Sequence, residues 1–218
     1  MKRIIPGLLF LFTTWMVFSQ ESGFRPEWSF GANAGLTLSK VRFNPRILQQ
    51  LLWQETGGLT VRDISEKNFG IQAEVNISMR GWKEQMDTTR FFNRYARSLF
   101  YVELPLMTQI YAELGKNVRL NFNAGPQIGF NIGEKERERE IVNYLDYYDL
   151  KVQRKFDYGI SGGMGLEMRM KPGSFVLEGR YYFGLSDVFN NRRGDIFQAS
   201  SNQIISIKLT CFFRIFER

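Results

Sequence analysis

Polar residues, among them a set of ionisable side chains, occupy every second position of several segments in this chain, with apolar residues between them. Paired carboxylates such as Glu103, Glu167 and Glu178 are the groups that glycosidases use, with carboxyls about 5 to 10 Å apart beside a sugar-sized cleft. The same acids would instead form ion pairs with nearby bases, which offsets the desolvation of each charge. The full candidate set is Glu74, Arg80, Glu103, Arg119, Glu167, Arg169, Glu178, Arg180, Lys208 and Arg214.

The sequence contains no histidine, and this excludes several kinds of active site. Ser-His-Asp and Cys-His catalysis, histidine-ligated zinc and imidazole proton transfer all need that side chain. The single cysteine, Cys211, falls on the apolar face of a predicted strand, where a thiol packs as a small hydrophobe. Gly159, Gly163 and Gly165 lie within an alternating segment with no helix after it, so they do not form a phosphate-binding loop. We therefore expect no catalytic residue, metal or cofactor.

The segment from Val118 to Ile132 shows most clearly the pattern that positions the ionisable groups. Its apolar residues alternate with polar ones such as Arg119 and Asn121, and successive side chains of a strand point to opposite faces. In water this pattern indicates a half-buried sheet, whereas in a bilayer it indicates a barrel wall with lipid on its apolar side. A water-soluble barrel of the lipocalin type would have to fill its core with the charged face, which is too costly. We therefore favour the membrane interpretation.

Alternation and turn residues together predict eight strands. Connections after the first, third, fifth and seventh strands are long and the others are short, as in outer-membrane barrels with brief periplasmic turns and extended external loops. The predicted fold class is all-β, an eight-stranded antiparallel up-and-down transmembrane β-barrel with both termini in the periplasm. The long connections are expected to be solvated, with 134–140 mobile. The predicted strands are 27–41, 58–64, 69–82, 98–114, 118–132, 156–170, 174–186 and 203–216.

The N-terminus has the features of a secretory signal peptide. Lys2 and Arg3 precede an apolar run that ends near Ser19, and this run is shorter than the about 20 apolar residues of a helical membrane span. A single anchoring helix is the alternative. We expect a signal peptide at 1–20 and one outer-membrane β-barrel domain at 21–218. The formal charge of +7 is spread among acids rather than gathered in a patch, so nucleic acid is not an expected partner.

An eight-stranded barrel has an interior that its own side chains just fill. The ionisable set is therefore expected to form a charge network that narrows or closes the lumen, rather than a glycosidase site. Glycines at inward positions are expected to make room for large neighbours. In the third external loop, a polar, tyrosine-rich stretch is a candidate contact surface for a protein or a glycan, with Tyr144, Tyr147 and Tyr148 as its aromatic residues.

Six short motifs resemble the small outer-membrane β-barrels of Bacteroidota often called the PorT-like porin family. The resemblance covers nearly the whole chain after the signal peptide and implies an eight-stranded outer-membrane barrel from a diderm bacterium. It implies no established activity, although one namesake member serves the type IX secretion system. In chain order the motifs are GANAGLTL at 31–38, RGW at 80–82, YVELP at 101–105, GPQIG at 125–129, DYGISGGMG at 157–165 and EGRYYFGLSD at 178–187.

The expected function is non-enzymatic: a structural or interaction role in the cell envelope, of which an accessory role in a secretion system is a narrower form. The expected partners are outer-membrane lipid and another envelope protein. Two alternatives stay open, a narrow pore for passive diffusion of small solutes and a histidine-independent membrane enzyme that acts on lipid. Conductance across a bilayer distinguishes the narrow pore from the preferred function. Analysis of the cell's lipids distinguishes the membrane enzyme from it.

Overall fold

A computed structural model of the protein describes residues 26–88, 91–141, 146–171, 173–192 and 195–217, and the predicted signal peptide lies outside them. A single 3-10 turn at Asp146–Asp149 is the helical element among these residues, which contain no helix long and apolar enough to cross a membrane. The strands are β1 Glu27–Asn44, β2 Gln49–Gln50, β3 Leu52–Glu66, β4 Phe69–Thr88, β5 Phe91–Glu113, β6 Val118–Ile141, β7 Phe156–Arg169, β8 Gly173–Asp187 and β9 Ala199–Glu217.

Eight of these strands close into a ring. Each pairs antiparallel with the strand before and after it, in the order β4-β3-β1-β9-β8-β7-β6-β5, and the β4–β5 pairing closes the barrel. The two-residue β2 lies outside the ring and pairs with β4 at the long-loop end. Short connections follow β3, β5 and β7, as predicted. The eight-stranded up-and-down barrel is therefore confirmed.

The apolar side chains lie on the outside of the barrel and the polar ones on the inside. In β8, for example, Phe175 and Leu177 are about half exposed, whereas Glu178 and Arg180 are buried. A water-soluble barrel has the opposite arrangement, so the exposed apolar belt is the surface that acyl chains cover. Every strand of the ring contributes to this belt, including Phe30, Leu36, Leu59, Val61, Ile71, Ile77, Leu104, Leu106, Phe122, Ile128, Ile160, Leu166, Leu177, Ile207 and Leu209.

Four strands, β3 to β6, run much further at the long-loop end than the sequence predicted. The stretch 134–140, predicted as a mobile loop, belongs to β6 and pairs with β5 as far as Ile141 opposite Asn93. The predicted loop 83–97 is likewise the end of a hairpin, in which Thr88 pairs with Phe91. On the other side of the barrel, β3 begins at Leu52, six residues before its predicted start. Apolar alternation marks lipid contact, so it stops at the membrane boundary although the hydrogen-bonded ladder continues into water.

Candidate functional site

The interior of the barrel contains three clusters of buried charges, which we call the upper, middle and lower clusters, counted from the long-loop end. Inward positions of facing strands supply each cluster, because the two-residue period of a strand sends every second side chain to the lumen. The upper cluster is Arg80, Glu103 and Asp157; the middle cluster is Glu74, Glu178, Arg180 and Lys208; the lower cluster is Glu27, Arg62, Arg119 and Glu167.

The middle cluster pairs two carboxylates with two cations. Glu74 accepts from the Arg180 guanidinium and, at 2.5 Å, from Lys208 Nζ. The second carboxylate, Glu178, accepts from Arg180 and from the amide of Asn123. Gln72 adds a neutral donor to Glu74 at 2.6 Å. The cluster is electrically neutral and its charged groups are buried, which is the arrangement that offsets their desolvation.

In the upper cluster one guanidinium serves two carboxylates. Arg80 Nη2 lies 2.6 Å from Glu103 Oε1, and Arg80 Nη1 donates to Asp157. The Arg80 guanidinium carbon is also 4.1 Å from the ring centroid of Tyr101 and 5.1 Å from that of Tyr182. Neutral donors complete the carboxylates: Gln127 donates to Glu103 at 3.0 Å and Asn202 to Asp157 at 3.1 Å.

The lower cluster lies at the short-turn end of the lumen. Arg62 Nη2 donates to Glu167 Oε1 at 2.9 Å, and Arg119 Nε is 3.4 Å from Glu167 Oε2. Glu27 lies 3.9 to 4.0 Å from the same two arginines. The Arg62 guanidinium packs 3.9 Å from the ring centroid of Phe212. Glu27, Arg62 and Asp157 were missing from the predicted set, although each lies at an inward position within a predicted strand, 27–41, 58–64 and 156–170 respectively.

The structure brings eight of the ten predicted network residues into the buried clusters. Arg169 is not among them: it ends β7 beside a short turn, is partly exposed and has its Nη2 3.5 Å from Glu113 Oε1. An inward position so close to the strand end reaches water rather than the lumen, so including Arg169 in the buried network was wrong. Arg214 lies on β9 opposite Ser29, and its side chain is outside the described ones.

Inward glycines face the largest charged side chains of the lumen, as predicted. A Cβ at Gly163 would overlap the carbonyl of Gly179 and lie 3.0 Å from Arg180 Cγ. A Cβ at Gly129 would lie 3.1 Å from Arg80 Nη2. Because these glycines have no side chain, Arg180 and Arg80 on other strands can occupy the space beside them.

Above the charged clusters, buried apolar side chains fill the outer mouth of the barrel. We call this group the aromatic plug. Strand ends contribute part of it, and the connections after β6 and β8 contribute the rest; Phe43 and Phe197, for example, have ring centroids 4.6 Å apart. Its members are Val41, Phe43, Trp82, Tyr95, Leu99, Tyr101, Tyr148, Val188, Phe189 and Phe197.

Tyr148 belongs to this plug and is fully buried, which corrects its prediction as an exposed contact residue. Its ring centroid lies 4.6 Å from that of Tyr95, because the 3-10 turn folds into the mouth instead of projecting from it. The other two tyrosines of the predicted surface cannot be placed: Tyr144 lies outside the described residues, and the side chain of Tyr147 is not described.

Polar contacts hold the loop after β6 against the plug. Arg97 donates to the carbonyl oxygens of Tyr148, at 3.0 Å, and of Leu150, and its Nη2 is 3.1 Å from Glu136 Oε1. Glu84 accepts from Trp82 Nε1 at 2.9 Å and from the Tyr148 hydroxyl at 3.3 Å. This arrangement was not predicted, because six of the ten plug residues lie in segments predicted as solvated loops: Phe43, Tyr95, Tyr148, Val188, Phe189 and Phe197.

The space that remains between the upper and middle clusters is small. A cavity of about 20 Å³, lined by Thr37, Ser78, Glu103, Ser161 and Lys208 among others, has room for about one water molecule. Each carboxylate of the three clusters is engaged by an arginine or a lysine, so these acids are held in ion pairs rather than set apart as a catalytic pair. Within the described ranges there is no group of three or more histidine, cysteine, aspartate or glutamate side chains placed to hold a metal ion.

Comparison with known proteins agrees with this geometry. The crystal structure of the outer membrane protein OprG from Pseudomonas aeruginosa is similar, with 8% identity, a TM-score of 0.51, and coverage of 88% of this chain and 98% of that one. This likeness shows the fold alone. The Yersinia pestis attachment invasion locus protein Ail, solved with the heparin analogue sucrose octasulfate, aligns with 13% identity, a TM-score of 0.45, and coverage of 87% of this chain and 99% of that one.

A third structure, that of Escherichia coli outer membrane protein W, aligns at 13% identity with a TM-score of 0.43, over 88% of this chain and all of that one. A comparison with curated proteins gives no match. The family model described as "Outer membrane protein beta-barrel domain" matches residues 18–190, which is most of the chain. The protein therefore belongs to the outer membrane protein β-barrel family, and its location is the outer membrane.

Proposed function

We propose that this protein is a closed, non-enzymatic barrel with a structural or interaction role, which engages another component of the envelope through its outer rim. The observation that carries the proposal is the filling of the lumen. Three clusters of paired charges and the aromatic plug occupy it from end to end, so the strands and loops that stand above the membrane are the surface left for a partner.

The charge clusters oppose ion flow for a physical reason. An ion that passed the middle cluster would have to displace Arg180 or Lys208 from Glu74, and the plug would have to open above it. Leaving a buried charge without its partner costs about 3 to 5 kcal/mol. A lumen built in this way supports the strength of the barrel rather than transport.

The rim has the exposure that a contact surface needs. β5 and β6 continue beyond the apolar belt as a paired ribbon, on which Arg94 and Arg137 are exposed. Lys151 and Gln153 are exposed on the connection to β7. We propose these four side chains, in place of the buried Tyr148, as residues through which a partner would be contacted.

Planar-bilayer recording tests the closed lumen against the narrow pore. The purified wild-type protein is expected to give no reproducible conductance step. Protease protection of the reconstituted protein serves as the control for insertion. A variant with Phe189→Ala, Phe197→Ala and Arg80→Ala, which empties the plug and the upper cluster, is expected to stay silent as well, because the middle and lower clusters still close the lumen. Regular, ion-selective steps from the wild-type monomer would overturn the closed-lumen proposal and favour the pore.

Site-specific crosslinking in cells tests the interaction role. A photoreactive residue at Gln153 is expected to capture a distinct envelope protein, whereas the same residue at Lys116, on a short turn at the other end of the barrel, is not. Equal capture at both positions would count against the outer rim. The alternative of an enzyme that acts on lipid is tested by mass spectrometry of the lipids from a deletion strain. We expect these lipids to match those of the wild type.

Membership of the PorT-like group of Bacteroidota is a narrower proposal. It is supported by the six collinear motifs, three of which end on residues of the lumen or the plug: RGW on Trp82, YVELP on Pro105 and DYGISGGMG on Gly165. A role beside a secretion system rests on that resemblance alone. Loss of secreted cargo in a deletion strain tests it, with the deletion restored by the wild-type gene as control.

A further inference from the structure

The apolar belt on β1 ends abruptly in two basic residues. Outward positions along this strand carry Trp28, Phe30 and Leu36, and the next outward positions toward the long-loop end after Leu38 are the exposed Lys40 and Arg42. Alternate residues of a strand lie about 7 Å apart, so both cations stand directly above the level at which the acyl chains end.

Neighbouring strands build this spot into a small polar patch. Lys40 pairs with Gln203 of β9, and Gln203 pairs in turn with Phe183 of β8. The Arg42 guanidinium carbon lies 5.4 Å from the Phe183 ring centroid, so the cation is held against the outer wall by the aromatic face. The patch consists of Lys40, Arg42, Phe183 and Gln203, and we call it the basic rim patch.

A similar cation occurs on the opposite wall. Arg137 of β6 is exposed and lies 4.0 Å from the sulfur of Met79, an outward residue of β4. Exposed charges at the short-turn end are of both signs: Glu66 and Lys67 lie at one turn, Glu113 and Lys116 at the next, and Lys171 at the third. Exposed cations therefore stand above the belt on two opposite walls at the long-loop end, Lys40 and Arg42 on β1 and Arg137 on β6.

We propose that the basic rim patch binds the phosphate groups of a phosphorylated glycolipid in the outer leaflet. The position of the patch favours a lipid over a free anion. When the acyl chains of a lipid lie on the apolar belt, its headgroup lies at the level of Lys40 and Arg42. Each Lys or Arg near a charged lipid surface adds attraction to an anionic headgroup, and Arg42 adds bidentate recognition of phosphate. The proposal is independent of whether the lumen conducts or a protein partner exists.

The test measures lipid affinity in phosphatidylcholine nanodiscs that contain the folded barrel. Bisphosphorylated lipid A is titrated and bound lipid is counted by native mass spectrometry. Lys40→Gln with Arg42→Gln is expected to weaken binding by about tenfold or more. The matched control, Lys67→Gln with Lys116→Gln, removes the same charge at the short-turn end and is expected to bind like the wild type.

Two further measurements separate the source of the phosphate. Lipid A from which the phosphates have been removed is expected to bind the wild type as weakly as bisphosphorylated lipid A binds the double variant. Inorganic phosphate in large excess is expected to leave the lipid bound, because it has no acyl chains on the belt. Displacement by inorganic phosphate, or equal loss of affinity in the control variant, overturns the proposal; retained binding in Lys40→Arg with Arg42→Lys supports it.

Discussion

Glu74 and Arg180 form an ion pair across the axis of the barrel. They belong to β4 and β8, which are four positions apart in a ring of eight strands and therefore stand on opposite walls. Their contact joins residues separated by 106 positions in the chain. Arg62 and Glu167, on β3 and β7, repeat the relationship in the lower cluster at 2.9 Å. The barrel is thus braced through its interior as well as by its ladder.

Glu74→Ala is expected to destabilise the barrel by about 3 to 5 kcal/mol, because Arg180 and Lys208 would share one buried carboxylate instead of two. Urea unfolding of the protein in detergent micelles, followed by tryptophan fluorescence, measures this change. Lys151→Ala, which alters an exposed loop side chain, is the control and is expected to be neutral.

A second variant keeps this prediction falsifiable. In Glu74→Gln with Lys208→Met, one acid and one base leave together and Arg180 keeps Glu178, so most of the stability is expected to return. If the double variant is as unstable as the sum of its single changes, the pairing is not what stabilises the interior.

Gly163→Ala is expected to destabilise the barrel, whereas Gly179→Ala is expected to be tolerated. A Cβ at Gly163 would meet the backbone of β8 and lie 2.8 Å from Arg180 Cα, so the wall or the arginine must move. A Cβ at Gly179 would meet nothing within 4 Å, because this glycine faces outward. Overpacking of this kind costs about 1 to 3 kcal/mol. Equal midpoints in urea for the two variants would contradict the role assigned to Gly163.

The alternation of apolar and polar residues predicted the wall of the barrel well, because a bilayer requires the outward side chains of a spanning strand to be apolar. Outward residues such as Ile207 meet lipid and inward ones such as Lys208 meet the lumen, so sequence and structure share the same period. The same rule selected eight members of the charge clusters. It could not give their pairing, since Glu74 and Arg180 are brought together by closure of the ring, which no local pattern encodes.

The outer mouth could not be predicted, for a related reason. Above the membrane no lipid covers the outer face of a strand, so 134–140 alternates acids with bases and carries no apolar period, although it is a paired strand. Plug residues such as Phe189 and Tyr148 come from irregular segments. In such segments the position of a residue along the chain does not indicate which way its side chain points. Their burial depends on a chamber that exists only after eight strands have closed.

The plug is expected to contribute to stability in the manner of a protein core. Phe189→Ala removes a fully buried ring that packs against Phe43 and Phe197, and a loss of about 3 to 5 kcal/mol is expected. Phe156→Ala, at a half-exposed outward position, is the matched control and is expected to cost much less in micelles. Thermal unfolding with near-UV circular dichroism reports both. A Phe189 variant as stable as the control would mean that the plug is loosely packed.

Cys211 provides a direct test of which face of the wall meets lipid. It lies on β9 between Ala32 and Phe175, two outward residues, and is partly exposed. In a bilayer, the thiol is expected to react with a lipophilic maleimide and to be protected from a sulfonated, membrane-impermeant one. Both reagents are expected to react after unfolding in denaturant.

Two cysteine variants in a Cys211→Ser background calibrate this experiment. Thr210→Cys places the thiol on the buried inward face, so it is expected to react with neither reagent until the barrel unfolds. Lys116→Cys lies on an exposed turn and is expected to react with both. The opposite result would be rapid labelling of Cys211 by the sulfonated reagent and labelling of Thr210→Cys by the lipophilic one. It would mean that the face assigned to lipid lines the lumen and that the face assigned to the lumen contacts lipid. The charges of the three clusters would then face the acyl chains, which the cost of burying unpaired charge in hydrocarbon forbids for a stable barrel.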